Sequence, residues 1–459
     1  MASATAGSTE LLAELRKLHP ARIDLTLDRM RRLLAALGHP EQRLPPVVHV
    51  AGTNAKGSVL AQLRAMLEAD GKRVHSYHSP PLQRFHETVR LADAPGSSRD
   101  IDDAQLTDFL TRVIAANAGA PLTSFEGETA AALLAFAETP ADVLLLETGL
   151  GGRLDATNVV ARPLLTILTP IDLDHTEFLG PNLAAIATEK AGILKPDVPC
   201  VVGRQQVEAL DTLRKFAAAK RAPLFEHGQD WDAYEQHGRL IYQDDTGLLD
   251  LPLPALAGRH QIDNAGLAVA CAQRLGKLAP SEAAIAKGLA RVAWPGRLQQ
   301  LSRDGLAAVL PEGSELWVDG GHNAAAAAVV AQAMAEIEER APKTLHLVIG
   351  MLTSKDLDAY LKPFRGLARS VTGLAVPDVS RAYSAPYAAE DIAAAALKAG
   401  IYAQPAVTLE DGLAAIAVRA NSKPVRVLVC GSLHLAGACL AADQAASVAA
   451  KRVRPTKPS

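Results

Sequence analysis

Cysteine is scarce in this chain: Cys200, Cys271, Cys430 and Cys439 are the four among 459 residues. Only the last two lie near each other. There is no CxxC pair and no zinc-type spacing, which excludes a disulfide framework and a cysteine metal site. Buried, reduced thiols in a cytoplasmic protein are the expectation. An excess of one charge is missing too. Lys and Arg number 47 against 50 Asp and Glu, a formal charge of −3, so no global signature of nucleic-acid binding exists. The most apolar stretch of note, Ala324 to Ala335, is too short and too Ala-rich to span a bilayer. The first residues, MASATAGSTE, lack a basic segment followed by an apolar core, so no secretory leader is expected. No internal repeat is found. What the chain does have is 49% apolar and 21% charged residues, enough for packed cores in two or three domains.

Short apolar or β-branched runs alternate with longer helical patterns. PPVVHVAG (Pro45 to Gly52), VLLLETG (Val143 to Gly149) and LLTILTP (Leu164 to Pro170) read as buried strands. VLAQLRAMLEADG reads as a helix closed at Gly71. Such alternation predicts a mostly parallel sheet with helices on both faces. A second series begins after Trp294, with strands ELWVDGG, LHLVIGM, VTGLAVP and VRVLVCG. Between the two series, Arg239 to Pro254 reads as a hairpin with a DDTG turn. A Pro-Gly pair at 295–296 breaks either regular element. The boundary is therefore expected there, giving a first α/β domain over 1–295 and a smaller α/β domain over 296–459. The last residues, KRVRPTKPS, read as a solvated basic tail.

The sharpest motif is Gly52-Thr53-Asn54-Ala55-Lys56-Gly57-Ser58, directly after a strand and before a helix. Backbone N–H groups and a helix N-terminus there meet an anion, Lys56 adds a point charge and Ser58 a hydroxyl. The match to GxxxxGK[ST] is imperfect, and an ordinary strand–helix turn stays open. Glu147 to Asn158, ETGLGGRLDATN, puts an acid and a glycine-rich loop at a strand's carboxyl end, where open α/β sheets take ligands. Glu147 could hold a metal there; a surface loop is the alternative. Ser79-Pro80-Pro81-Leu82 alone reads as a turn. Thr169 to His175 closes another strand, and Glu189-Lys190 alone reads as a solvated helix face.

Together these segments resemble the Mur ligase superfamily, and within it the folylpolyglutamate synthase/dihydrofolate synthase family. HVAGTNAKGS, SPPLQRF, FEGET, LETGLGGRLDATN, TPIDLDHTEFLG, EKAGILKP, GRHQIDNAG, WPGRLQQ, VDGGHN and VCGSLHLAG occur in family order over nearly the whole chain. The resemblance implies a P-loop-type, ATP-binding ATPase domain over 1–295 plus a Rossmann-like domain over 296–459. It implies ATP-dependent ligation of L-glutamate to a pterin- or folate-type acceptor, with no nucleic acid and no membrane as partner, in a cytoplasmic monomer.

It also assigns residues. Gly52, Thr53, Asn54, Lys56, Gly57 and Ser58 would cradle ATP, with Asn264 at the adenine, Arg297 at the phosphates, and Asp319 and His322 at the nucleotide and glutamate end. Ser58, Ser79, Glu147, His175 and Lys190 would hold two Mg2+ ions, with Lys190 carbamylated as in the family. Lys56, His175, Lys190 and Arg297 form the implied catalytic set. Pro81, Phe85, Phe125, Arg153 and Asp155 fall on the acceptor side, as do Glu126 and Thr129; Lys355-Asp356 follows a strand of the second domain. The implied chemistry activates a carboxylate as an acyl phosphate, which glutamate's amine then attacks, in a cleft that two lobes close against water.

The sequence departs from the family pattern at Ala55, usually Gly, at Pro81, usually His, and at His86 and Thr88, usually Asn and Arg; Ala324 replaces a usual Pro. The changes from 81 to 88 leave a non-folate carboxylate acceptor open as an alternative. Ala55 leaves open a non-catalytic ATP-binding paralogue.

Overall fold

The computed structural model describes residues 7–18, 25–377 and 384–453. The first six residues and 454–459, where part of the basic tail falls, lie outside them. The tail's beginning continues the helix Leu433–Val453. Two compact units emerge, Met1–Ala255 with Gln261–Ala293, and Leu256–His260 with Trp294–Ser459. No helix among the described residues is long and apolar enough to cross a membrane.

The expected α/β architecture is present in both units. In the first, Val47–Ala51 is a strand whose five residues are all buried. Its side chains alternate: Val48 and Val50 enter one core, Val47 the other. Val143–Glu147 divides in the same way, with Val143 and Leu145 on one side and Leu144 and Leu146 on the other. This two-faced burial is what continuous apolar runs mean in a parallel sheet. The sheet has eight strands, in the order Ser97–Asp100, Val89–Ala94, Val74–Tyr77, Val143–Glu147, Val47–Ala51, Leu165–Leu168, Cys200–Val202, Leu224–Glu226. The first two of the seven pairings are antiparallel and the rest parallel.

Chain order and spatial order differ at one decisive place. Helix Lys56–Ala69 carries the chain from Val47–Ala51 to Val74–Tyr77, and Val143–Glu147 then inserts between those two strands. Leu165–Leu168 takes the other side of Val47–Ala51. The winding reverses there, and open sheets bind ligands beyond the carboxyl ends of strands at such a reversal.

The expected hairpin, Arg239–Asp244 with Gly247–Pro252, has a further strand on it, Trp231–Gln236. This small sheet packs on helix His260–Gln273 through Trp231, Ala233 and Leu240. The approach is close: a Cβ on Gly266 would lie 2.2 Å from that of Ala233.

The second unit has a six-stranded sheet, Gln299–Gln300, Glu315–Val318, Val425–Cys430, Thr344–Ile349, Ala368–Leu374, Tyr402–Ala406. All pairs are parallel except the first. Buried apolar residues from its strands and from helices Ala324–Arg340, Leu357–Leu361 and Ala389–Lys398 form its own core.

Candidate active site

Three loops meet at the carboxyl edges of three adjacent strands in the first unit. The 52–55 loop is laced to the loop after Leu165–Leu168. Thr53 and Asn54 donate their N–H groups to the Pro170 carbonyl at 3.0 and 3.3 Å. The Thr53 hydroxyl donates to the Asp172 carbonyl and accepts the Asp172 N–H, each at 3.0 Å. Thr169 donates its hydroxyl to the Asn54 carbonyl at 2.7 Å. A Cβ on Gly52 would lie 1.7 Å from Thr169 Oγ1, so only glycine fits there. Sequence reasoning gave Thr169 no role; a Thr-Pro pair at a strand end was its only signal.

Ala55 precedes the helix Lys56–Ala69 at φ 69°, the left-handed region. Alanine pays for that conformation with about 1 kcal/mol, and the loop still takes it. Ser58, in the first helical turn, is buried.

Two lysines converge on one oxygen. Lys56 Nζ donates to the Gly52 carbonyl at 3.1 Å and Lys190 Nζ to the same carbonyl at 2.9 Å. Lys56 Nζ also stands 3.8 Å from Glu147 Oε1, at the end of the neighbouring strand. Lys190 is 4% exposed. Burial pushes its ammonium down to about 7, helped by the Lys56 charge and opposed by Asp174 and Asp155. The segments holding Lys56, Glu147, Asp174 and Lys190 are therefore brought together. His175, beside Asp174, caps Thr176–Leu179 at φ 51°, its Nε2 4.0 Å from Asp174 Oδ1.

Lys190 reaches Gly52 because its helix, Leu183–Ala191, packs against the glycine-rich loop. A Cβ on Gly152 would lie 2.8 Å from the Glu189 carbonyl and 2.9 Å from that of Lys190. Arg153 seals the same contact, its N–H on the Glu189 carbonyl at 2.7 Å and its guanidinium on Glu189 Oε1 at 2.8 Å. Asp155 holds the loop from inside. It accepts the N–H groups of Leu150 at 2.8 Å and Thr157 at 2.9 Å, and the Thr157 hydroxyl at 2.5 Å. Burial pushes its carboxyl up, and these bonds oppose that.

The other acceptor-side candidates spread over the neighbouring strands and helices. Phe125 rides over Gly149, its Cζ 2.3 Å from where a Cβ would be. Glu126 is committed to structure: it accepts the Thr123 N–H at 2.8 Å in a capping box and pairs with Arg29 at 3.0 Å. Ser79 and Pro81 are half-buried, with the Ser79–Pro80 bond cis. Phe85 lies inside the core beside Tyr77 and Val89. His86 is buried with its Nε2 3.3 Å from Asp103 Oδ1. Asn264, on helix His260–Gln273, is buried and donates to Gln261 Oε1 at 3.0 Å.

In the second unit Arg297, Asp319 and His322 share one neighbourhood. Arg297 Nη1 donates to the Gly296 carbonyl at 3.1 Å, Asp319 Oδ2 accepts the Leu298 N–H at 2.9 Å, and His322 Nδ1 stands 3.2 Å from the Gly320 carbonyl.

Among the described residues, no group of three or more His, Cys, Asp or Glu side chains stands ready for a metal. The expected donor set differs from such a group: hydroxyls, one carboxylate, one imidazole and Lys190. An ammonium repels a cation. A buried lysine whose ammonium is held near 7 is, however, an amine to which CO2 adds, and the product is an oxygen donor suited to a hard divalent ion.

Residues 306–442 match the family model described as dihydrofolate synthetase, C-terminal domain. The dihydrofolate synthase/folylpolyglutamate synthase of Bacillus subtilis is 34% identical over 357 residues, 75% of this chain and 80% of that protein. The structure of E. coli FolC in complex with DHPP and ADP superposes with a TM-score of 0.83 at 31% identity, covering 98% of this chain and 100% of that one. The Yersinia pestis bifunctional folylpolyglutamate synthase/dihydrofolate synthase complexed with AMPPNP and Mn ion gives 0.82 at 30%, covering 96% and 99%.

Proposed function

This chain belongs to the dihydrofolate synthase/folylpolyglutamate synthase family, and from that premise we propose how its residues carry out the family's ATP-dependent ligation. The reaction joins L-glutamate to dihydropteroate, to the glutamyl tail of reduced folates, or to both. One observation carries the residue assignment: Lys56 and Lys190 converge on the Gly52 carbonyl beside Glu147, at the carboxyl edges of adjacent strands where the sheet's winding reverses.

A carboxylate is a poor acyl donor because oxide is a bad leaving group. The γ-phosphoryl group moves to the acceptor's carboxylate oxygen, ADP departs, and an acyl phosphate results. The neutral amine of glutamate attacks the acyl carbon and phosphate leaves. Such transfers depend on positioning and on neutralising charge at the migrating group. The N–H groups at the start of helix Lys56–Ala69 and the Lys56 ammonium face the phosphates in this reading. Ser58, Ser79, Glu147, His175 and carbamylated Lys190 would hold two Mg2+ ions. When bound, these ions offset phosphate charge. Asn264, Arg297, Asp319 and His322 are proposed as nucleotide-binding residues, and the second unit as the glutamate-ligase domain. Pro81, Phe125, Arg153 and Asp155 are proposed for the acceptor side, with Phe85 supporting them from the core. A cytoplasmic monomer completes the reading, in keeping with four buried, unpaired cysteines.

The test is direct. The purified protein is incubated with ATP, Mg2+, glutamate and either dihydropteroate or tetrahydrofolate. Acceptor-dependent ADP release and a product heavier by one glutamyl residue are expected; absence of both with every pterin sinks the reading. A second reading, a non-folate carboxylate as acceptor, is favoured by His86, whose buried ring faces Asp103 where the family has Asn. It predicts that a non-pterin acid outcompetes both pterins in the same assay.

A further inference from the structure

Tyr360 lies on helix Leu357–Leu361 of the second unit and is fully buried. A phenylalanine would fill that volume equally well, so the hydroxyl needs a reason. It donates to the Gly321 carbonyl at 3.1 Å, and it also interacts with the Cys430 side chain and the Gly431 backbone. Those partners lie at or just beyond the carboxyl ends of two neighbouring parallel strands, Glu315–Val318 and Val425–Cys430. One buried hydroxyl thus ties together the VDGGHN and VCGS loops at the carboxyl end of the sheet.

From Gly321 the contacts continue to Arg297. The Gly321 N–H donates to Asp319 Oδ1 at 2.7 Å, and the other Asp319 oxygen accepts the Leu298 N–H at 2.9 Å. The Gly320 N–H donates to the Gly296 carbonyl at 2.8 Å. A Cβ on Gly320 would lie 2.7 Å from Arg297 Nη1, so the guanidinium crosses bare backbone there. Leu298, next to Arg297, sits at φ 41°. A leucine keeps that conformation only where its surroundings impose it, and its N–H is held by the Asp319 carboxylate.

We infer that Tyr360 is a positioning residue for nucleotide binding: by holding Gly321 it fixes the Asp319 clamp, and through the clamp the turn that aims Arg297. This rests on the proposal that Arg297 meets the ATP phosphates.

Steady-state kinetics of wild type and Y360F, together with equilibrium binding of a non-hydrolysable ATP analogue to wild type, Y360F, R297A and the double variant, test it. Y360F is expected to raise KM for ATP about tenfold, the effect of one lost hydrogen bond to a buried carbonyl, and to change kcat less than about threefold. In the R297A background Y360F should change affinity less than about twofold, since the group it positions is gone. A purely structural tyrosine instead gives an unchanged KM, or the same loss of affinity with and without Arg297; either result overturns the inference. Should R297A bind the analogue as wild type does, the Arg297 assignment itself fails and the inference with it. If Y360F does not fold, Tyr360→Met, a donor-free filler, takes its place. If neither folds, the hydroxyl is a folding determinant and the inference is lost.

Discussion

Ala55 illustrates what a single residue contributes. The loop before helix Lys56–Ala69 needs a left-handed residue, and Ala55 supplies it at φ 69°. Glycine would meet no Cβ penalty but would loosen the unfolded chain, so the two effects partly cancel. A55G is expected to stabilise by about 0.5 kcal/mol, raising Tm by about 1–2 °C without weakening ATP binding; a thermal melt and a nucleotide titration check it, and a Tm several degrees lower would refute it. That Ala55 stands at a glycine position was legible from the family resemblance, whereas the left-handed φ of 69° that makes it strained is a property of the backbone. Lys190 was not legible from its own surroundings. Glu189-Lys190 looks like a solvated helix face, and only the packed helix turns the lysine inward to Gly52. Tyr360 was invisible for the opposite reason: in LDAYL it reads as core, which it is, and its hydroxyl's partner is 39 positions away.

At the scale of elements, the fully buried strands announced themselves. VVHVA, VLLLE and LTIL are almost wholly apolar, broken only by His49, Glu147 and Thr166, because both faces of the sheet are covered. The outer strands Val89–Ala94 and Ser97–Asp100 carry exposed polar residues and so left no comparable signal. The insertion of Val143–Glu147 beside Val47–Ala51 is a property of pairing, which no local pattern encodes. Helix Leu183–Ala191 shows how an element makes chemistry: its end is pressed onto Gly152, and this delivers Lys190 to a dry site. The amine's ordinary value of 10.5 falls to about 7 there. Below that pH the folded amine is protonated and CO2 does not add; above it, addition to the free amine gives a carbamate and one proton. A sample equilibrated with 13C-bicarbonate at pH 8 should therefore show a carbamate carbon signal that fades as pH falls through 7. K190A should lack it and lose ligase activity by at least about a hundredfold. A signal that survives in K190A would end the carbamate assignment.

Across the whole molecule, each unit builds its own core, and each places a buried histidine on a strand of its sheet: His49 on Val47–Ala51 and His346 on Thr344–Ile349. His49 is fully buried with its Nε2 2.8 Å from the Thr157 hydroxyl. Burial lowers it from 6.5 to about 3, and the Lys195 charge adds to that. His346 is lowered to about 4 by burial and by Arg419 and Arg369. The sign follows from linkage. Above pH 6.5 both folded and unfolded histidines are neutral and the pKa shift has no effect. Between 6.5 and the folded value the unfolded chain takes up a proton that the folded chain refuses, so stability falls as pH falls. Each such histidine costs about 1.4 kcal/mol per pH unit inside its window. H49Q cannot take up this proton. Its unfolding free energy, followed in urea from pH 6 to pH 4, should therefore decline less steeply than that of wild type by about 1.4 kcal/mol per pH unit. Trp231 reports on the same unit, since it packs in the core that Val48 and Val50 enter. The substitution should also lower stability at pH 8, where the lost packing and the altered partner for Thr157 act without any proton. A parallel decline in both proteins would mean that His49 is protonated in the folded state and that strand Val47–Ala51, on which the Lys56 loop stands, is wetter than its burial requires.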